Sequence, residues 1–263
     1  MTDYTGILIE RTKDHVASIT INRPAAMNAF DLDMCLAFQR VWREMIEDES
    51  VHAIVLRAAP GRAFSTGRDV RKNENLSGSD QVWDTRDPGE WLGPKQNRCW
   101  KPVIAAVHGL CAGGAFYWIN ECDIVICSQD AQFFDPHVTY GKVSALEPIG
   151  MRWRMPLGEV LRVALLGNDE RMCAATALRS GLVSEVVDSD QLWARAHQLA
   201  ARIAAKPSIA VQGTLRAIWE SLDMGRTIGL QNAVKYCQLG NPLATAQVDT
   251  DAIMASVKTF EVR

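Results

Sequence analysis

The sequence has no apolar run long enough to span a bilayer, no Cys-x-x-Cys pair, no excess of basic charge, and no two histidines at the i, i+4 spacing of a helical metal site. Each absence closes off a class of function. A membrane helix needs roughly 20 consecutive apolar residues, so no membrane partner is expected. The opening MTDYTGILIE carries neither the basic start nor the apolar core of a secretory signal, which predicts a cytoplasmic protein. A formal net charge of -3 gives phosphate backbones no general attraction, so no nucleic-acid partner is expected. The seven cysteines are odd in number and sit mostly in apolar segments, as reduced core thiols do. Without local ligand spacing among the five histidines, no metal is expected.

What the chain does have is apolar material: 48% of its 263 residues, enough to bury a full core in one domain or in a domain with a helical appendage. Residues 7–11 and 16–22 read as paired strands ahead of the break at Pro24. Asp31 is placed to cap a helix running to about Ile46, because Leu32, Cys35, Phe38, Trp42 and Met45 recur on one face. Residues 53–56 read as a short buried strand and 60–69 as a glycine-containing loop. The polar stretch 73–95, with Trp83 and Trp91, reads as a mobile lid or as a surface insertion.

Residues 103–126 are the richest segment: a buried strand, a glycine turn at Gly113-Gly114, a helix and a second buried strand. Beyond it, 132–134 reads as a strand and 135–148 as an irregular loop. Residues 172–180, 191–204, 208–222 and 246–259 have helical spacing. No repeat or low-complexity linker divides the chain. A strand-rich core over 1–200 followed by a helical region over 201–263 is the simplest partition. The last helices lack core partners within one chain, which points to a homo-oligomer.

The segments ITINRPAAMNAF (19–30), GRAFSTGRDV (61–70), HGLCAGGAFYWINECDI (108–124), FFDPHVTYG (133–141) and ALRSGLVSEVV (177–187) run in order over most of the chain. Together they resemble the crotonase, or enoyl-CoA hydratase/isomerase, superfamily. The resemblance implies an α/β fold, a spiral of ββα units with a carboxyl-terminal helical region that makes a homotrimer or a dimer of trimers. It implies acyl-CoA thioester substrates, with coenzyme A entering as part of the substrate and no permanently bound cofactor. It also implies an oxyanion hole from two backbone N–H groups, those of Arg68 and Gly114. A glycine at a strand-to-helix turn suits that role independently, since a ligand can approach its N–H closely with the helix dipole behind it. By the same resemblance Met27, Ala29, Thr66, Asp69, Val70, Arg71 and Gly113 line the path of the CoA and the acyl group, and Lys258 and Phe260 match terminal residues that reach a neighbouring subunit's nucleotide.

Hydratases of this superfamily use two glutamates, and this chain has Tyr117 and His137 at those positions. A phenol with an ordinary pKa near 10 is a poor base, which puts standard two-glutamate hydration in doubt. His137 is the leading candidate for proton transfer, since imidazole titrates near neutral pH. It could also be a core histidine. Glu147, ten residues on, could orient the ring, act as a base, or lie on a loop surface. Tyr117 could support proton transfer or form an aromatic wall. Glu121, one turn after Tyr117, could replace the missing acid or make a structural pair. The expected activity is that of a lyase or isomerase of the hydratase class. The alternatives are a hydrolase of CoA thioesters or of β-diketone C–C bonds using His137, and a non-catalytic acyl-CoA-binding homologue.

Overall fold

The structure, a computed structural model, describes residues 4–72, 83, 87–256 and 261–262. Its strands are β1 (Ile7–Arg11), β2 (Val16–Ile21), β3 (Ala53–Ala58), β4 (Ala63–Ser65) and β5 (Val103–Val107). They continue with β6 (Leu110–Ala112), β7 (Ile124–Ser128), β8 (Gln132–Phe134), β9 (Met172–Cys173) and β10 (Glu185–Val187). The helices are α1 (Leu32–Glu47), α2 (Phe116–Glu121), α3 (Leu146–Met151), α4 (Leu157–Leu166), α5 (Ala174–Ser180) and α6 (Leu192–Ala204). Three more follow: α7 (Ser208–Ser221), α8 (Arg226–Thr245) and α9 (Thr250–Ala255).

Two sheets share the strands. The larger has the order β1-β2-β3-β5-β7-β10 and the smaller β4-β6-β8-β9. The chain steps from the large sheet to the small one three times, β3 to β4, β5 to β6 and β7 to β8, so that each turn of the spiral delivers one long and one short parallel strand. The long parallel strands β3, β5 and β7 are mostly apolar because both faces are covered, with Arg57 and Ser128 near the ends of two of them. Side chains alternate between faces with period two. Ile54, Leu56, Val103, Ala105, Val107, Val125 and Cys127 enter the main core. Val55, Ile104, Ala106 and Ile126 meet Ala196 and Ala200 of α6 on the opposite face.

Helix α1 forms as its spacing predicts. The Asp31 side chain accepts the Met34 N–H at 3.0 Å, and the face bearing Cys35, Phe38, Trp42 and Met45 is fully buried. Other elements differ from expectation. The loop expected over 60–69 contains β4, three residues that are too few for a pattern to show. Residues 172–180 open with the two-residue strand β9 before α5 begins. The helix expected over 246–259 is the shorter α9, and Lys258 and Phe260 lie outside the described residues. The twenty-residue α8 was not foreseen, since it has Pro242 inside it and few buried residues to mark one face. Of the proposed lid over 73–95, residues 73–82 and 84–86 lie outside the described residues. Trp83 is exposed, and a 3-10 turn covers Pro88–Trp91.

The chain divides into two compact units, one ending at Ala204 and one beginning at Ala205. In the second, α7 and α8 pack as a hairpin closed by Glu220, which accepts from Arg216 (2.8 Å), Asn232 (3.0 Å) and Lys235 (3.4 Å). Among the described residues no helix is long and apolar enough to cross a membrane.

In the first unit Glu121 is the acid that α2 carries away from the glycine turn. Its Oε2 accepts the backbone N–H of Lys95 at 2.7 Å and of Gln96 at 2.9 Å, and burial pushes its pKa up to about 7 against the lowering effect of those bonds. The folded state therefore holds the Glu121 proton more tightly than the unfolded chain does, and stability from this group is lost as pH rises through about 7. Glu121→Gln, neutral at every pH, is expected to flatten the fall in melting temperature between pH 5 and pH 8. Thermal denaturation at the two pH values measures this, and an unchanged slope would show that the carboxyl does not titrate there.

Candidate active site

A cavity of about 1020 Å³ opens where the small sheet ends. Its wall begins with a backbone contact. Gly67, at φ +81, follows β4 so closely packed on the next turn of the spiral that a Cβ would lie 2.7 Å from the Gly114 nitrogen and 3.0 Å from the Ala112 oxygen. Phe30 pins the same segment: its N–H donates to the Gly67 oxygen at 2.8 Å and its oxygen accepts from Asp69 N–H at 2.8 Å. Arg68 and Gly114 are thus brought together on the cavity wall, each the residue that follows a glycine at the end of a short strand.

On the far side of the turn Asp135 follows β8 and is wholly buried. Its Oδ1 accepts from His137 Nδ1 at 2.5 Å and from the His137 N–H at 3.1 Å, while Ser144 Oγ donates to Oδ2 at 2.6 Å. With Nδ1 committed to Asp135, the ring presents Nε2 to Glu147, whose Oε1 is 3.9 Å away. The His137 ring also sits beside the glycine turn, since a Cβ on Gly113 would lie 3.6 Å from its Cε1. Glu147, on the first turn of α3, is 5% exposed and faces the cavity rather than solvent.

The charges of this group follow from its partners. The hydrogen bond to Asp135 raises the His137 pKa above the ordinary imidazole value; burial opposes it, and the Asp135 and Glu147 charges add to the rise. Burial alone would raise Asp135, but the bonds from His137 and Ser144 together outweigh it and hold this carboxyl low. Glu147 is raised, first by burial, with His137 only partly offsetting it. Asp135, His137 and Glu147 also offer ligand atoms within 4.8 Å of one another. With Asp135 holding Nδ1, His137 Nε2 and a Glu147 oxygen are the two atoms of this group left for a cation, fewer than the three or four protein ligands of a typical zinc site.

Tyr117, on α2, is gripped from the segment 87–91. Its hydroxyl donates to Asp87 Oδ2 at 2.6 Å, and Asp87 Oδ1 accepts the Gly89 N–H at 2.8 Å. Burial, then the charge of Glu147 and the bond to Asp87, push the phenol pKa far above its usual value, so Tyr117 stays neutral.

Of the residues singled out in the sequence, Met27, Thr66, Arg68, Val70, Gly113, Gly114, Tyr117, His137 and Glu147 line this one cavity. Ala29, Asp69 and Arg71 stand off its lining. Ala29 is buried and its oxygen accepts from Arg23, while Asp69 is buried between Arg23 (3.2 Å) and Arg71 (3.1 Å). Glu121 is likewise absent from the lining. Sequence reasoning missed Asp87 and Ser144. Asp87 had a legible signal, Asp-Pro-Gly, a capping residue before a proline; Ser144 had none. Three lining cations, Arg62, Lys142 and Arg171, also emerge only in three dimensions. The Arg62 oxygen accepts the Leu110 N–H, and Arg171 donates to Gln132, so both stand at the start of β6 and β8, while His137 and Tyr117 lie past the ends of those strands.

Comparison with known proteins accords with this geometry. A model of the family described as enoyl-CoA hydratase/isomerase matches residues 11–225. The chain is 31% identical over 228 residues to the (E)-benzylidenesuccinyl-CoA hydratase of Thauera aromatica, covering 86% of each protein. It is 33% identical to the mitochondrial Delta(3,5)-Delta(2,4)-dienoyl-CoA isomerase of Mus musculus, covering 81% of this chain and 68% of the isomerase. Among solved structures, an enoyl-CoA hydratase/isomerase from Mycobacterium paratuberculosis superposes with a TM-score of 0.83 at 32% identity, covering 96% of this chain and 94% of that one. The fold and the shared motifs define an acyl-CoA-processing enzyme with the crotonase architecture. The chain belongs to the enoyl-CoA hydratase/isomerase family.

If Asp135 sets the proton affinity of His137, Asp135→Asn is expected to lower the His137 pKa, because the amide loses both the charge and the strong acceptor. Proton NMR titration of the ring Cε1–H measures the midpoint in each protein. An unmoved midpoint would rule the coupling out.

Proposed function

We propose that this enzyme moves a proton at the α-carbon of an acyl-CoA thioester, and adds or removes water at the adjacent carbon, with His137 and Glu147 sharing the work that two glutamates do in ordinary hydratases. The observation that carries the reading is the His137 Nε2 to Glu147 Oε1 separation of 3.9 Å, beside the glycine turn and facing the cavity. That gap is too wide for a direct hydrogen bond and lets both groups address one water.

In the hydration direction the thioester oxygen rests against the N–H groups of Arg68 and Gly114. Glu147, a stronger base than an ordinary carboxylate because its pKa is raised, takes a proton from water. The water oxygen bonds to the β-carbon, and the π electrons move to the thioester oxygen as an enolate. Collapse of the enolate takes the His137 proton at the α-carbon. Asp135 raises the ring's pKa above the ordinary imidazole value, which favours the imidazolium form that this step uses. The CoA moiety lies toward Arg62 and Arg171, whose guanidinium groups suit its phosphates, along a path past Met27, Thr66, Val70 and Gly113.

A second reading is favoured by the buried Asp135 and its Ser144 buttress, an acid–histidine pair suited to activating water against a carbonyl. It would release free CoA, or a ring-opened acid from a β-diketone. A non-catalytic binder would do neither.

Incubating a saturated acyl-CoA in deuterated water separates these. Wild-type protein is expected to exchange the α-proton, and His137→Ala to lose at least about 100-fold of that rate while still binding the ester. Exchange that survives in the mutant overturns the assignment, and free CoA moves it to the hydrolase reading.

We also propose that the second unit serves self-association as a homotrimer or dimer of trimers, since α8 carries exposed Ile228, Leu230, Val234, Leu239 and Leu243. Light scattering coupled to size exclusion is expected to give three or six times the 29.1 kDa chain mass. A monomeric mass would refute it.

A further inference from the structure

Helix α3 has little apolar packing to hold it. Of its residues only Glu147 and Met151 are buried, while Leu146 and Ile149 stand exposed. A helix this short does not persist on its own backbone bonds. No other described residue donates a hydrogen bond to the Glu147 carboxylate, and His137 Nε2 is 3.9 Å from it. The direction in which Glu147 enters the cavity therefore depends on what fixes the backbone of α3.

Asn120 does so. It lies near the end of α2, is 8% exposed, and donates from Nδ2 to the Glu147 main-chain oxygen at 2.9 Å. The orientation of the amide follows from its partner, since a carbonyl oxygen can be met only by the Nδ2 donor. Oδ1 is buried and has no hydrogen-bond partner among the described residues. An apolar side chain would avoid the cost of burying that acceptor, which marks the donor as the useful end. The fit is close: a Cβ on Gly150 would lie 2.3 Å from Nδ2 and 2.7 Å from Cγ, so α3 rests directly on the amide.

The Asn120 main chain is fixed in turn. Arg154, beyond the end of α3, donates from Nη2 and Nε to the Asn120 oxygen at 3.1 and 3.3 Å, and its own N–H donates to the Met151 oxygen at 2.9 Å. Asn120 is thus joined to α3 at both ends, by its side chain to the first turn and by its main chain to the residues that follow the last. Because α2 continues from the Gly113-Gly114 turn, the junction ties Glu147 to the helix that starts beside the proposed oxyanion donor.

We propose that Asn120 is a positioning residue, which holds α3 so that the Glu147 carboxylate faces His137 in the cavity. The inference rests on reading Glu147 and His137 as partners in proton transfer, and it names the residue that sets their separation. Asn120 itself is absent from the cavity lining.

The electrostatic coupling of the pair tests this without substrate. The bond to Asp135 and the charges of Asp135 and Glu147 raise the His137 pKa, while burial and the charge of Lys142 lower it. In the wild type, Glu147→Gln is therefore expected to lower the His137 midpoint, followed by proton NMR of the ring Cε1–H in the full-length protein. In Asn120→Leu, which fills a similar space against Gly150 without the donor, the same Glu147→Gln change is expected to lower the midpoint by less than about half as much. Asn120→Ala, which removes the volume as well, is expected to do the same. A role confined to stability would lower the melting temperature and leave the coupling whole. Equal lowering with and without the amide overturns the inference. Failure of both Asn120 variants to fold also overturns it, by making Asn120 a determinant of the fold rather than of the site. If Glu147→Gln leaves the wild-type midpoint unmoved, the pairing of His137 with Glu147 falls as well, so the two failures are told apart in the wild-type background.

Discussion

The close approach of Gly67 to Gly114 is the constraint on which the site is built. Two turns of the spiral meet there backbone to backbone, with no room for a side chain between them. Because the contact is made by main chain, it sets Arg68 and Gly114 on one wall whatever their side chains do. It also fixes where the chain leaves β6, and so where α2 starts and where Tyr117 points. The parallel strands β4, β6 and β8 of the small sheet are mostly buried, and they also matter by position, since each is followed within two residues by one that lines the cavity: Thr66, Gly113 and Pro136.

Around that wall the cavity is organised as two braced side chains. His137 is braced by Asp135 and Ser144, and Tyr117 by Asp87 and Gly89. In each case a carboxylate outside the reacting position holds a group that a simple glutamate would otherwise replace. The effects on the two groups are opposite. The carboxylate beside imidazole makes it easier to protonate, whereas the carboxylates around the phenol make it harder to ionise. The negative surroundings thereby favour the charged form of His137 and, together with burial, the neutral form of Tyr117.

Much of this was legible in the sequence, and the limits have physical causes. The long buried strands and α1 announced themselves because burial on defined faces imposes a period. The family motifs contain eight of the nine singled-out residues that line one cavity, all but Glu147, since close backbone approach restricts which residues a turn can tolerate. Strand β4 was invisible because three residues carry no period. Helix α8 was missed because few of its positions are buried within its own unit and it contains Pro242. Ser144 and the inward turn of Glu147 depend on how residues 135–148 fold back. Those folds are held by side-chain hydrogen bonds between residues with no fixed spacing. Glu121 shares a helical face with Tyr117 in principle, yet the loop at 93–96 supplies N–H groups that draw its carboxylate away.

That loop and the segment carrying Asp87 have a joint effect on α2. A six-residue helix is too short to persist without partners, and this one is fastened at both ends to a single stretch of chain: Tyr117 to Asp87 near its start and Glu121 to Lys95 and Gln96 at its finish. The stretch 87–96 is in turn tied to α1, where Trp42 donates to the Leu92 oxygen at 2.9 Å. Helix, loop and α1 therefore form one mechanical unit. A displacement that loosens Asp87 to admit a larger acyl group is transmitted along the helix axis to its far end, so the size of the pocket and the order of α2 are a single variable.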